Sequence, residues 1–252
     1  MKSIGLVLSG GGVRGLAHLG VLKALEQLGM KPSIISGTSA GALIGALYAA
    51  GKTPDEILTI ATNTNMFSFS ALQFGKSGVF SMKTIEETIL KHIPINTFES
   101  LSIPLHVTAT DIINGTQLHY HTGLLSKPLL GSACVPLVFQ PIEFEGNLLL
   151  DGGILDNFPV EQLLGKCDQI IGVHVNSISN KIEHVQMKDM LDRSFHYALS
   201  HSVYSKAHLC NFFIDPPEMS RFGMFDMSKA AEIMMFAYQY TLGFKEKIIN
   251  LK

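Results

Sequence analysis

The chain has 252 residues, 46% of them hydrophobic and 16% charged, which is enough apolar material to bury a sizeable core. That length suits one large α/β domain or two small ones, and we expect a single domain across residues 1–252. A formal net charge of −2, with no block of Lys or Arg, argues against nucleic acid as a partner.

Cys134, Cys167 and Cys210 are odd in number, far apart and without metal-ligand spacing, so they read as reduced structural thiols of an intracellular protein. The N-terminal apolar run is too short for a signal-peptide core, and no apolar stretch reaches the roughly 18 residues of a membrane span. A cytoplasmic location is expected, with any membrane contact peripheral.

Taken in chain order, residues 4–9 form an apolar run that ends in Gly10-Gly11-Gly12, and residues 16–28 place Val21, Leu22, Leu25 and Leu28 at helical spacing. This reads as strand, glycine turn and helix, closed by Gly29. A second unit follows: a strand at 33–36, the turn Gly37-Thr38-Ser39-Ala40-Gly41, and a helix through Ala42, Leu43, Ala46, Leu47 and Ala50 that Gly51 ends. Further strands are expected at 105–109, 117–121, 148–150 and 170–175, with helices at 187–208 and 228–249. Such alternation implies an α/β fold with a mainly parallel, helix-covered sheet. Residues 66–80 carry Met66, Phe67, Phe69, Leu72, Phe74, Val79 and Phe80 among polar residues, and read either as a core plug or as a lipid-facing lid.

Gly37–Gly41 fits the nucleophile-elbow pattern, in which a sharp strand-to-helix turn projects a serine hydroxyl. Ser39 would sit at a helix N-terminus, whose partial positive charge favours the anion that develops during ester attack. A plain structural turn is the competing reading. The successive glycines Gly10, Gly11 and Gly12 could aim backbone N–H groups at one oxyanion. Gly10, Gly12 and Gly15 also have dinucleotide-fingerprint spacing, but no acidic ribose ligand follows about 20 residues on, and no P-loop Lys-Ser/Thr is present. Arg14 either holds a lipid phosphate or ties the loop to carbonyl groups. A serine nucleophile needs a base, and the acidic candidates near strand ends are Asp111, Asp151 and Asp156. Asp151 stands out, between Leu148-Leu149-Leu150 and Gly152-Gly153, although an Asp-Gly turn would leave the same trace.

The glycine-rich loop, the Gly37–Gly41 elbow and Asp151-Gly152-Gly153 together resemble, in order, the three motifs of patatin-like phospholipases. Gly131-Ser132-Ala133-Cys134-Val135-Pro136, then Phe139 and Pro141, and Asp156-Asn157-Phe158-Pro159 are similar to connecting segments of bacterial members. The resemblance spans residues 4–176. Thr38, Ala40 and Gly153 are the small departures. It implies a three-layer α/β/α sandwich and an acyl-enzyme mechanism on phospholipids, galactolipids or simple acyl esters. Ser39 would be the nucleophile, Asp151 the base, and Gly11 and Gly12 the oxyanion amides, with Gly10, Arg14, Gly15, Gly37, Gly41, Gly152 and Gly153 as supporting positions. No metal or organic cofactor is called for.

The ten histidines supply no clear alternative. His119 and His121 share one strand face without completing a ligand set, His196 and His201 do not face each other at a five-residue offset, and His174 is the best triad candidate should the dyad fail. Two other functions remain open: acyl transfer between thioester carriers, which relies on a histidine base, and a non-catalytic regulatory protein that retains the fold.

Overall fold

The computed structural model describes residues 2–64, 66–67, 82–136, 138–177, 190, 197, 200, 202–217, 219–224 and 226–252. β1 (Ile4–Leu8) leads through a 3-10 turn, Gly12–Leu16, into α1 (Ala17–Gln27). β2 (Ile34–Thr38) runs into α2 (Ala40–Ala49). Both expected strand–turn–helix units are therefore present, and Gly29 and Gly51 take up left-handed φ angles after α1 and α2.

The next two helices, α3 (Pro54–Thr64) and α4 (Lys83–His92), were not anticipated. α3 nonetheless opens on a reciprocal capping box. The N–H and hydroxyl of Thr53 donate to the Glu56 carboxylate, the Glu56 N–H donates back to Thr53 Oγ1, and Pro54 stands at the first helical position. Of the aromatic-rich segment, Met66 and Phe67 are buried in the main core, and residues 68–80 lie outside the described residues.

The second half supplies β3 (Leu105–Asp111), β4 (Thr116–Tyr120), α5 (Ser126–Ser132), β5 (Ile142–Phe144), β6 (Asn147–Asp151), β7 (Gln169–Val173) and β8 (Phe212–Ile214). The long C-terminal helix expected at 228–249 is two, α6 (Ala230–Leu242) and α7 (Lys245–Ile249), parted at Gly243 and Phe244. Within the helix expected at 187–208, residues 190, 197, 200 and 202–206 are helical and Ala207–Leu209 is a 3-10 turn. Its other positions, His196 and His201 among them, lie outside the described residues.

The sheet is mixed. Strands β3, β2, β1, β7 and β8 run parallel in that order, while β4 and β6 pair antiparallel with β3, and β5 antiparallel with β6. Successive side chains of the parallel strands point to opposite faces. Leu6, Leu8, Ile35, Val107, Ile171 and Val173 join the core under α1, α2 and α6. On the other face, Val7, Ile34 and Ile170 pack with Phe158, Val160, Leu163 and Val203. Two covered faces make the three-layer α/β/α arrangement.

One detail of pairing positions the site. β4 occupies one edge of β3 along residues 107–111. β2, paired with residues 105–108, and β6, paired with 109–111, must therefore share the opposite edge. They approach head-on: Thr38 lies opposite Thr108, and Asp151 lies opposite Ala109. The register thus delivers the residue after β2, Ser39, and the last residue of β6, Asp151, to one point.

Candidate active site

Ser39 has φ 52° and ψ −122°, a left-handed backbone that side-chain-bearing residues seldom adopt and that marks a strained, constrained turn. The turn is tight because α2 begins directly against β1. A Cβ added at Gly41 would lie 2.3 Å from the Leu8 carbonyl oxygen, and one at Gly37 would lie 2.8 Å from the Gly41 backbone. Ser39 is the N-cap of α2, and its N–H donates to Ser132 Oγ at 2.8 Å, whose own hydroxyl donates to the Thr108 carbonyl at 2.6 Å. The side chain is thereby aimed by a bond reaching across to α5.

Ser39 Oγ donates to Asp151 Oδ2 at 2.7 Å. The second carboxylate oxygen, Oδ1, accepts the Gly153 N–H at 2.8 Å. Behind the side chain, the Asp151 N–H donates to the Cys134 carbonyl at 2.9 Å, and Thr110 Oγ1 donates to the Asp151 carbonyl at 3.0 Å. At Gly152 a Cβ would fall 2.2 Å from the Thr108 carbonyl oxygen, so the chain can leave β6 this closely only without a side chain. Burial raises the Asp151 pKa to about 6, against the opposing hydrogen bonds from Ser39 and Gly153.

The other two acidic candidates are engaged elsewhere. Asp111 closes the β3–β4 turn by accepting from the Ile113 N–H and from Asn114. Asp156 is buried and paired with Lys206 at 2.9 Å. His174 bonds through Nδ1 to Asp215 at 3.1 Å and stacks on Phe213. His119 contacts Thr108 Oγ1, and His121 stacks on His106. No histidine among the described residues hydrogen-bonds to Ser39 or Asp151.

The glycine loop after β1 faces the same point, since a Cβ at Gly10 would come within 3.1 Å of Ser39 Cβ. The Gly10 peptide is clamped on both sides: its N–H donates to Asn157 Oδ1 at 3.1 Å, and its carbonyl accepts from Asn176 Nδ2 at 2.8 Å. Gly10 therefore has no amide to spare. Gly11 and Gly12 differ, for neither N–H donates to an acceptor among the described residues. Gly12 and Ser39 line one cavity. Gly15 lets the turn pack on Ala40. Arg14 is buried, and its Nε donates to the Phe222 carbonyl at 2.8 Å, which ties the loop to the C-terminal part of the chain.

This arrangement places a serine hydroxyl in contact with a carboxylate, beside two amides that have no acceptor among the described residues. A family model described as patatin-like phospholipase matches residues 6–164, a stretch that contains the loop, the elbow and Asp151. The chain belongs to the patatin-like phospholipase family. Among its relatives is an uncharacterised NTE family protein of Mycobacterium tuberculosis, 33% identical over 177 residues, which covers 69% of this chain and 49% of the relative. Lysophospholipase NTE1 of Kluyveromyces lactis is 30% identical over 190 residues, covering 71% of this chain and 13% of the fungal protein. The chain therefore spans about half the length of the mycobacterial relative and a far smaller part of the fungal one. Among solved structures, VipD from Legionella pneumophila superposes with a TM-score of 0.58 at 14% identity, over 98% of this chain and 67% of VipD. That likeness is one of fold.

Three residues of this patatin-like site carried no role in the sequence. Ser132, Asn157 and Asn176 sit in segments noted only as connections or strand ends, and their partners are 93, 147 and 166 residues away. The one available signal was the presence of small polar residues inside otherwise apolar surroundings.

Proposed function

We propose that this chain is a serine acyl hydrolase cleaving carboxylic esters of phospholipids or related lipids, with residues 1–252 acting as one catalytic domain. The observation that carries the reading is the 2.7 Å hydrogen bond from Ser39 to Asp151 at a turn held at positive φ. Family membership supports lipid esters as the substrate class.

In this scheme Ser39 Oγ attacks the ester carbonyl carbon while its proton passes to Asp151. The carbonyl oxygen becomes an oxyanion held by the Gly11 and Gly12 N–H groups, with the N-terminal end of α2 adding favourable potential. Collapse breaks the bond to the alcohol, which takes the proton from Asp151, and leaves an ester on Ser39. Water then gives a proton to Asp151 as it attacks this acyl-enzyme. The released Ser39 oxygen recovers that proton, and the fatty acid departs.

A carboxylate is ordinarily a weak base. Burial that raises the Asp151 pKa to about 6 makes it stronger while leaving most of it ionised at neutral pH. An alkoxide leaving group suits such a base better than an amine. Among the described residues no helix is long and apolar enough to cross a membrane, and we assign lipid encounter to peripheral contact.

Hydrolysis of p-nitrophenyl butyrate and octanoate tests the reading. Wild type should turn over and react with a fluorophosphonate at Ser39, and Ser39→Ala and Asp151→Asn should each lose about a thousandfold or more in kcat/KM. Retained activity in Asp151→Asn would place the base elsewhere. A wild type that neither hydrolyses nor labels would favour the regulatory alternative.

A further inference from the structure

We propose that Asn176 is a positioning residue for ester hydrolysis, fixing the peptide unit that carries the Gly11 N–H, an inference that rests on the hydrolase reading. Asn176 follows the end of β7 and lies outside residues 6–164, the stretch that matches the family model. β7 pairs with β1, Val173 level with Leu8, so the chain leaving β7 runs beside the glycine loop that leaves β1. A Cβ added at Gly11 would fall 3.2 Å from both Nδ2 and Oδ1 of Asn176, which shows the loop lying directly on this side chain.

Peptide geometry then sets the direction of the Gly11 amide. Asn176 Nδ2 donates to the Gly10 carbonyl at 2.8 Å, and both residues are buried. A carbonyl only accepts, so the end of the side-chain amide that faces it must be the nitrogen. The peptide between Gly10 and Gly11 is trans and planar, and its C=O and N–H point in opposite directions. Holding the Gly10 carbonyl toward Asn176 therefore turns the Gly11 N–H away from it, and no described residue accepts that N–H. A donor on the carbonyl also polarises the N–H at the other end of the same unit.

The Gly12 N–H has a different anchor. The carbonyl of its peptide unit, Gly11 O, accepts the Arg14 N–H at 3.1 Å, a bond made inside the loop. Gly11 is thus the amide whose aim depends on a side chain from a distant part of the sequence. That side chain is itself held from both sides: the Val175 N–H donates to Ser9 Oγ at 3.2 Å, and Ser177 Oγ donates to the Pro216 carbonyl at 2.6 Å.

Hydrolysis of p-nitrophenyl octanoate and inhibition by an alkyl trifluoromethyl ketone test the role of Asn176 in wild type, Asn176→Ala and Asn176→Leu. Ser39 Oγ adds to the ketone carbon and passes its proton to Asp151, which leaves an oxyanion on the former carbonyl with no leaving group expelled. Each variant should lose about ten- to a hundredfold in kcat and in ketone affinity, less than outright loss of an oxyanion donor, with KM changed by less than about threefold. The pH of half-maximal fluorophosphonate labelling should stay near 6, because Asp151 keeps its surroundings. Wild-type kcat and ketone affinity in a folded variant would overturn the proposal. So would a loss accompanied by a moved pH inflection, since Asn176 would then act through Asp151. Should neither variant fold, proton NMR of wild type decides: on ketone binding the Gly11 N–H and the Asn176 Nδ2 protons should both move downfield, and if either stays in place the assignment falls. A wild type that neither hydrolyses nor labels removes the hydrolase reading and the role of Asn176 together, whereas normal wild-type turnover with unaffected variants removes the role of Asn176 alone.

Discussion

Ser39 is positioned by its own neighbourhood, between β2 and α2, with Gly37 and Gly41 letting the turn close against β1. Asp151 is positioned from a distance, by the pairing of β6 with β3 and by contacts to Cys134, Thr110 and Gly153. The proposed nucleophile is thus a product of local chain geometry and the proposed base a product of sheet register. A local motif can be read from a few adjacent residues. A register has to be specified by strands and loops spread over the sequence, and here β2 and β6 must stop at adjacent positions along a single edge of β3.

That difference can be broken from either side. The greatest cost is expected on the Ser39 side: Gly41→Ala would drive a methyl group to 2.3 Å from the Leu8 carbonyl oxygen, and should cost about 4 kcal/mol or more in a denaturant titration. A cost below about 1 kcal/mol would mean the start of α2 is free to withdraw.

On the Asp151 side the sign reverses. Asp151 has its pKa raised from 3.8 to about 6 by burial, so the folded state holds the proton more tightly than the unfolded chain does. Its contribution to stability is fully present below about pH 4 and is lost as pH rises through about 6; above that pH a buried charge is carried at a cost. Asp151→Asn should therefore stabilise the fold by about 2–3 kcal/mol at pH 8 and by little at pH 4. Urea midpoints at the two pH values measure this, and a variant less stable than wild type at pH 8 would contradict it.

The smallest expected effect lies between the two regions. Asn157 reaches from the segment after β6 to the Gly10 amide. Asn157→Ala would leave that buried N–H without an acceptor, at a cost of about 1–2 kcal/mol in stability. It should also loosen the loop that presents Gly11 and Gly12, lowering kcat about tenfold with KM little changed. A change confined to KM would assign Asn157 to substrate binding instead.

The same contrast explains what could be read in advance. β1, α1, β2 and α2 were legible because their hydrophobic periodicity changes at glycine turns, and the three motifs marked Ser39, the glycine loop and Asp151. α3 carries an equally local signal in Thr53, Pro54 and Glu56, a capping box with proline at the first helical position. β5 and β8, three residues each, are too short to show a period. The strands β4 and β6 were expected at 117–121 and 148–150, but their antiparallel pairing with β3, and the roles of Ser132, Asn157 and Asn176, depend on contacts no local pattern encodes. Arg14 had two readings, and its bond to the Phe222 carbonyl, 208 residues away, accounts for its burial.

Activation of Ser39 by the Asp151 carboxylate is tested by the rate of fluorophosphonate reaction at Ser39 as a function of pH. The wild-type rate should rise through a single ionisation near pH 6 to a plateau, and Asp151→Asn should be slow and lose this ionisation. The same inflection in Asp151→Asn would show that another group activates Ser39.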